Sequence, residues 1–313
     1  MSWAIDGLLN TLFDRYLGRL PTSSEYEAIR KTFPGVYRTG SSFRARSVTI
    51  GSEQVEVGRS SLAGTFHRSV SLNDVHNASI IPYKFSDSNS SQYGEIIILD
   101  NSGIAIVSDM DDTIKVSGVL NKTVLVENLF LKPPEPTYGS TEMFEVWKAR
   151  YSPSFHYITA APQHLISYVS NFVKMYFPFG SISLLDIALL DLSVLTLGSD
   201  KQIREYKIKT VTEFILKLYG RRFVLIGDST QEDPESYASV AEKYPNQVRC
   251  VFIRKVKGYA AIKELERNSA RRFEAAFRNV DKERWFVFEE WSELANVDLS
   301  QFNATCRPNY LYE

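Results

Sequence analysis

Apolar and polar positions divide the chain into three textures. Near the start, Ile5, Leu8, Leu9, Leu12, Phe13 and Tyr16 recur at helical spacing, which predicts an amphipathic helix over 3–17. Its stripe is expected to pack on the body of the protein. The other use, an interfacial anchor with Trp3 at headgroup depth, sits badly with a polar face carrying Asp6 and Asp14. A second helix is predicted over 24–31, capped by Ser23 or Ser24 and ended near Pro34 and Gly35.

From residue 36 to about 99, short runs rich in Val, Ile, Thr, Phe and Tyr are split by Gly, Ser and Asn clusters. Strands are predicted at 43–48, 54–58, 64–72, 79–85 and 94–99, making a small antiparallel domain. Beyond Gly103 the apolar runs stop alternating. Residues 104–107 read as a strand buried on both faces, 223–226 and 248–253 as further buried strands and 155–159 as a strand candidate, separated by helical stretches near 140–150, 162–176, 207–219 and 234–244. That grammar predicts an α/β domain with a parallel sheet.

Length adds a domain count. At 313 residues the chain exceeds the usual single domain, and the textures suggest N-terminal helices (1–34), a β-rich domain (35–100), a catalytic domain (101–295) and a tail (296–313). A net charge of -1, from 36 basic and 37 acidic residues, argues against nucleic acid as a partner. No apolar run is long enough to cross a membrane, and no signal-type core opens the chain, so a cytoplasmic, at most peripherally membrane-associated protein is expected. Cys250 and Cys306, far apart in sequence, suggest neither a disulfide framework nor a thiolate metal site, as in a reducing interior. His67, His76, His156 and His164 share no zinc-type spacing and are read as structural.

The chemistry concentrates at strand ends. Asp109 closes the run 104–107, with Asp111 two residues on; one carboxylate placed there can attack phosphorus while its neighbour trades protons with the leaving oxygen. Gly227 and Asp228 repeat the pattern after 223–226, and Asp233 follows. Thr159 closes a third strand with a hydroxyl suited to a phosphate oxygen. Acids crowded in this way repel one another, and a divalent cation, Mg2+, is the expected remedy.

The stretch Asp109-Met110-Asp111-Asp112-Thr113 resembles the D-x-D-x-T motif of the haloacid dehalogenase (HAD) superfamily. The wider strings S-D-M-D-D-T-I-K-V-S-G-V, I-T-A-A-P-Q-H-L and L-I-G-D-S-T-Q-E-D-P-E-S-Y are similar to the App1 type of phosphatidate phosphatase. The resemblance implies a HAD-like Rossmannoid sheet with helices on both faces and a minimal cap, following the small antiparallel domain and the N-terminal helices. It makes Asp109 the nucleophile, Asp111 the general acid/base, Thr159 the second-motif hydroxyl and Lys207 the third-motif lysine, with Lys209 as its fallback. Mg2+ would be held by Asp109, Asp111, Asp228 and Asp233. Asp112, Thr113, Ala160, Gly227 and Ser229 would touch phosphate or substrate. Thr159, Ala161, Gln163 and Thr230 depart from the residues usual in the family, changes expected at the rim of the site. The function implied is Mg2+-dependent hydrolysis of phosphatidate, or a related phospholipid at a membrane surface, through an aspartyl phosphate. A HAD-type protein phosphatase and a non-enzymatic lipid-binding adaptor on the same fold are the alternatives.

Overall fold

The computed structural model describes residues 2–33, 45–59, 70–71, 80–85, 94–185, 200–301 and 304–308. Contacts divide the chain into two units, one of Met1–Pro34 with Asn101–Glu313 and one of Gly35–Asp100.

In the smaller unit, β1 (Ala45–Ile50), β2 (Glu53–Arg59), β3 (Ile80–Phe85) and β4 (Gly94–Ile97) form an antiparallel sheet in the order β2-β1-β3-β4. The alternation of buried Val48 and Ile50 with half-exposed Thr49 is the period-two pattern of a sheet with one covered face. The strand predicted at 64–72 lies almost wholly outside the described residues.

The larger unit is built on a six-stranded parallel sheet flanked by helices. Its strands are β5 (Ile104–Asp109), β6 (Ser154–Pro162), β7 (Ser181–Leu185), β8 (Arg222–Asp228), β9 (Val248–Arg254) and β10 (Trp285–Phe288), in the order β10-β9-β8-β5-β6-β7. The unbroken apolar runs are buried on both faces as expected: Ala105, Ile106, Val107 and the whole of 223–226 have no exposed surface. The chain starts at β5, winds outward to β7, then crosses back and winds the other way from β8. The winding therefore reverses between β5 and β8, at whose carboxyl ends open sheets of this kind bind ligands.

The helices are α1 (Ser2–Leu17), α2 (Ser23–Thr32), α3 (Lys122–Phe130), α4 (Ser140–Tyr151), α5 (Ile166–Tyr176), α6 (Asp200–Lys217), α7 (Asp233–Lys243), α8 (Ala261–Arg267) and α9 (Ala270–Ala276). Pro162 ends β6 instead of opening a helix; a short 3-10 turn, Gln163–Leu165, precedes α5. The cap of α2 is Thr22, not Ser23 or Ser24, because Glu25 three residues on completes a reciprocal capping box with it. The stripe of α1 packs inward: Leu9, Leu12 and Phe13 are buried, and Phe13 meets Phe130 of α3 at 6.2 Å between ring centres. Phe33, just past α2, packs between Phe130, edge-on at 5.6 Å, and Tyr168 of α5, tilted at 4.9 Å. No described helix is long and apolar enough to cross a membrane.

One expectation is overturned. Cys250 and Cys306 are joined, with Sγ atoms 2.05 Å and Cα atoms 5.8 Å apart. The tail turns back onto β9, held there by the Cys306 amide donating to the Glu283 carbonyl at 2.6 Å, which brings together residues 56 apart in sequence. The bond removes the thiol argument for a reducing compartment.

Candidate active site

At the end of β5 the chain leaves regular structure. After Asp109 the backbone folds into a closed turn: the Ile114 and Lys115 amides both donate to the Met110 carbonyl, and the Asp112 amide donates to the Lys115 carbonyl. Asp112 takes a left-handed conformation (φ 59°), which Asp tolerates better than most residues. Its buried carboxylate accepts the amides of Ser117 (2.9 Å), Gly118 (2.7 Å) and Val119 (2.6 Å). Asp112 therefore fastens the loop after the turn, and its side chain is not directed at the acids described next.

Asp109, Asp228 and Asp233 converge. Each offers a carboxylate oxygen, all within 4.8 Å of one another, and all three residues are buried. The β5–β8 pairing brings the first two side by side at the reversal of winding. Asp233 reaches them from the start of α7 because Gly227 has no side chain; a Cβ there would stand 2.4 Å from Asp233 Oδ2. The Asp228 amide donates to that same oxygen at 3.2 Å. The Thr113 hydroxyl lies 2.9 Å from Asp109 Oδ2 and 3.1 Å from Asp228 Oδ2, so one proton is shared between two carboxylates.

Lys207, on α6, is the cation of the cluster. Its ammonium is 2.7 Å from Asp109 Oδ1 and also binds Asp233 Oδ1. Burial pulls Lys207 down, but Asp109 and Asp233 outweigh it and leave it well above its ordinary value. Lys209, two residues on, is exposed. Burial raises the Asp109 carboxyl, opposed by Lys207; burial and Asp233 lift Asp228 to about 7. Three buried carboxylates against one ammonium leave an excess of negative charge, and every other donor is oxygen. That composition fits a hard divalent cation such as Mg2+ and does not suit a soft thiolate-binding metal.

Asp111 stands apart from these acids. Its carboxylate is held by Lys115 (3.0 Å) and the Ser117 hydroxyl (2.7 Å) on one oxygen, and by the Thr159 hydroxyl (2.8 Å) on the other. Burial would raise it, but Lys115 and these hydrogen bonds bring it down to about 2. Thr159 is itself fixed by accepting the Ala161 amide at 3.0 Å. Lys115 and Ser117 were not anticipated from sequence. The available signal was a lysine and a hydroxyl inside an acidic motif, with apolar residues around them.

Asp111, Lys115, Ser117, Thr159 and Ala160 line a cavity of about 990 Å³, closed on one side by Leu120, Leu125 and Leu129 of the α3 region and by Leu165 and Val169 next to Tyr168. Ala161 and Thr230, two of the positions expected at the rim, line it as well. Ser229 points elsewhere, its hydroxyl accepting the Val256 amide. Arg254 donates to the Asp112 carbonyl at 2.8 Å and steadies the turn from β9, while Lys255 and Lys257 both pair with Glu289. His156 is buried between the hydroxyls of Ser154 and Ser181.

Residues 104–255 match the family described as the catalytic domain of phosphatidate phosphatase APP1. Over 155 residues the chain is 26% identical to the protein named phosphatidate phosphatase APP1 in Saccharomyces cerevisiae, covering 49% of this chain and 26% of that one. An uncharacterized protein of Schizosaccharomyces pombe is 28% identical over 166 residues, or 52% of this chain and 27% of the relative. The matches thus span about a quarter of the length of these relatives.

Proposed function

We propose, from the premise that residues 104–255 are a catalytic domain of the App1 phosphatidate phosphatase type, that the chain hydrolyses phosphatidate to diacylglycerol and phosphate in a Mg2+-dependent reaction at a membrane surface. The domain is read as a HAD-like fold with helices on both faces of the sheet and a minimal cap. The observation that carries the reading is the meeting of Asp109, Asp228, Asp233 and Lys207 at the reversal of winding.

In this reading Asp109 attacks the phosphorus and takes the phosphoryl group as an acyl phosphate. Asp111, on the cavity side, gives a proton to the departing glycerol oxygen and then takes one from the water that cleaves the intermediate. A phosphate dianion arriving between the two acids adds like charge and raises Asp111 from its low resting value, so the protonated form becomes accessible in the complex. Lys207 balances Asp109 while it is ionised, and Thr159 keeps the Asp111 oxygen aimed. Asp109, Asp228 and Asp233, with the Asp111 carbonyl, would hold Mg2+, which when bound offsets charge on the phosphoryl oxygens. The apolar side of the cavity favours a substrate with hydrocarbon next to its phosphate over a phosphopeptide.

The test compares phosphate release from phosphatidate vesicles and from phosphopeptides at equal enzyme, with Asp109→Asn and Asp111→Asn as controls. Mg2+-dependent release from the lipid, abolished by Asp109→Asn, is expected. Preference for the phosphopeptide would favour a protein phosphatase; vesicle binding without turnover would favour an adaptor.

A further inference from the structure

Helix α8 borders the cavity at the same sheet edge as Asp109, and its two sides are unlike. Lys263 and Arg267, four residues apart, line the cavity. Ile262 and Leu265, three apart, are 87% and 78% exposed, an unusual degree for two neighbouring branched apolar residues beside a substrate cavity. Glu264 does not dilute this face, since its carboxylate accepts the amides of Gly258, Tyr259 and Ala260.

Charge complements the apolar tips. Lys122, at the start of α3, also lines the cavity, and among the described residues neither it nor Lys263 forms an ion pair. Burial lowers the Lys122 ammonium and Lys263 lowers it further, while the nearby Asp200 is engaged by Arg267 at 2.8 Å. Arg271 adds a third cation to the lining, and of the two exposed acids there, Asp200 and Glu266, the first is already paired with Arg267. Two unpaired ammonium groups close enough to oppose one another, next to two exposed apolar side chains, match the two attractions that hold a protein on an anionic bilayer.

We propose that α8 is the membrane-docking element, Ile262 and Leu265 entering the headgroup layer of an anionic bilayer while Lys122 and Lys263 hold lipid phosphate at the cavity mouth. The inference rests on the phosphatidate reading for the identity of the lipid delivered to Asp111. It makes the chain an interfacial enzyme whose substrate reaches the cavity from the membrane and not from solution.

The experiment uses the full chain, phosphatidylcholine vesicles with and without phosphatidate, and short-chain phosphatidate dispersed as monomers. Ile262→Ser with Leu265→Ser is expected to lower sedimentation with phosphatidate vesicles by roughly tenfold or more. Phosphate release from vesicles should fall by a similar factor, with release from the monomeric lipid unchanged. Leu265→Trp is expected to keep vesicle binding. Wild-type binding and vesicle turnover in the double variant, or equal loss on both substrate forms, would overturn the proposal and leave the face to a protein partner. Sedimentation needs no turnover. A wild-type chain that releases no phosphate from either form would count against the substrate reading alone, and the surface would still be decided by whether the variant detaches.

Discussion

Replacing Gly227 by alanine places a methyl group 2.4 Å from Asp233 Oδ2, 2.7 Å from its Cβ and 2.8 Å from its Cγ, where ordinary contact begins near 3.4 Å. Asp233 must therefore retreat by about 1 Å, and it cannot do so without loosening its grip on Lys207 and on the Asp228 amide. Overpacking of this kind costs about 1–3 kcal/mol in stability. Displacing a group in a reactive site by ~1 Å costs on the order of 10²-fold in rate. The assay pairs initial rates with thermal denaturation in the presence and absence of Mg2+. Wild type is expected to gain stability from the ion, because binding to the native state alone shifts the unfolding equilibrium. G227A should be slow and should lose most of that gain. Gly7→Ala in α1, where a Cβ meets nothing within 4 Å, is the control and should keep both rate and Mg2+ response. Full activity with an undiminished Mg2+ response in G227A would refute the reasoning.

Lys207→Met removes the only ammonium that, among the described residues, touches the acid cluster, and breaking such a buried pair costs about 3–5 kcal/mol, so the variant should melt well below wild type and turn over negligibly. Burial, with Arg221 nearby, holds His156 at about 4 against an ordinary 6.5, so the folded state stays neutral where the unfolded chain takes up a proton. The stability this provides is complete above pH 6.5 and is lost as pH falls toward 4, roughly 2 kcal/mol of it by pH 5. His156→Gln should flatten that part of a denaturation-versus-pH profile. Reduction, or Cys306→Ser, frees a loop spanning 56 residues and should cost about 4 kcal/mol by chain entropy, read as a fall in melting temperature under reductant.

What the sequence disclosed and what it hid follow one physical division. Strands buried on both faces announce themselves as unbroken apolar runs, so β5, β8 and β9, with the acids that end the first two, were legible before any coordinates. Gly227 was legible for the same reason, as a residue needed only where another group comes close. Contacts made by the turn after β5 were not. Asp112 reads as one more acid in a catalytic string, yet its left-handed backbone points it at the amides of 117–119. Lys115 and Ser117 reach Asp111 only because that turn closes, and no periodicity encodes it. The Cys250–Cys306 bond depends on the path of a tail without regular structure, which pairwise spacing of two cysteines does not reveal. The functional reading of the site rests on motif resemblance; the geometry adds that Lys207, and not the exposed Lys209, contacts the acids, and how Asp111 is held.

The proposed reaction depends on a covalent bond to a single carboxylate oxygen of Asp109. Enzyme mixed with phosphatidate labelled at phosphorus, quenched in acid and mapped by peptide mass should carry the label on the peptide containing Asp109, in a form cleaved by hydroxylamine and absent from Asp109→Asn. Label on another residue, or continued turnover by Asp109→Asn, would contradict it.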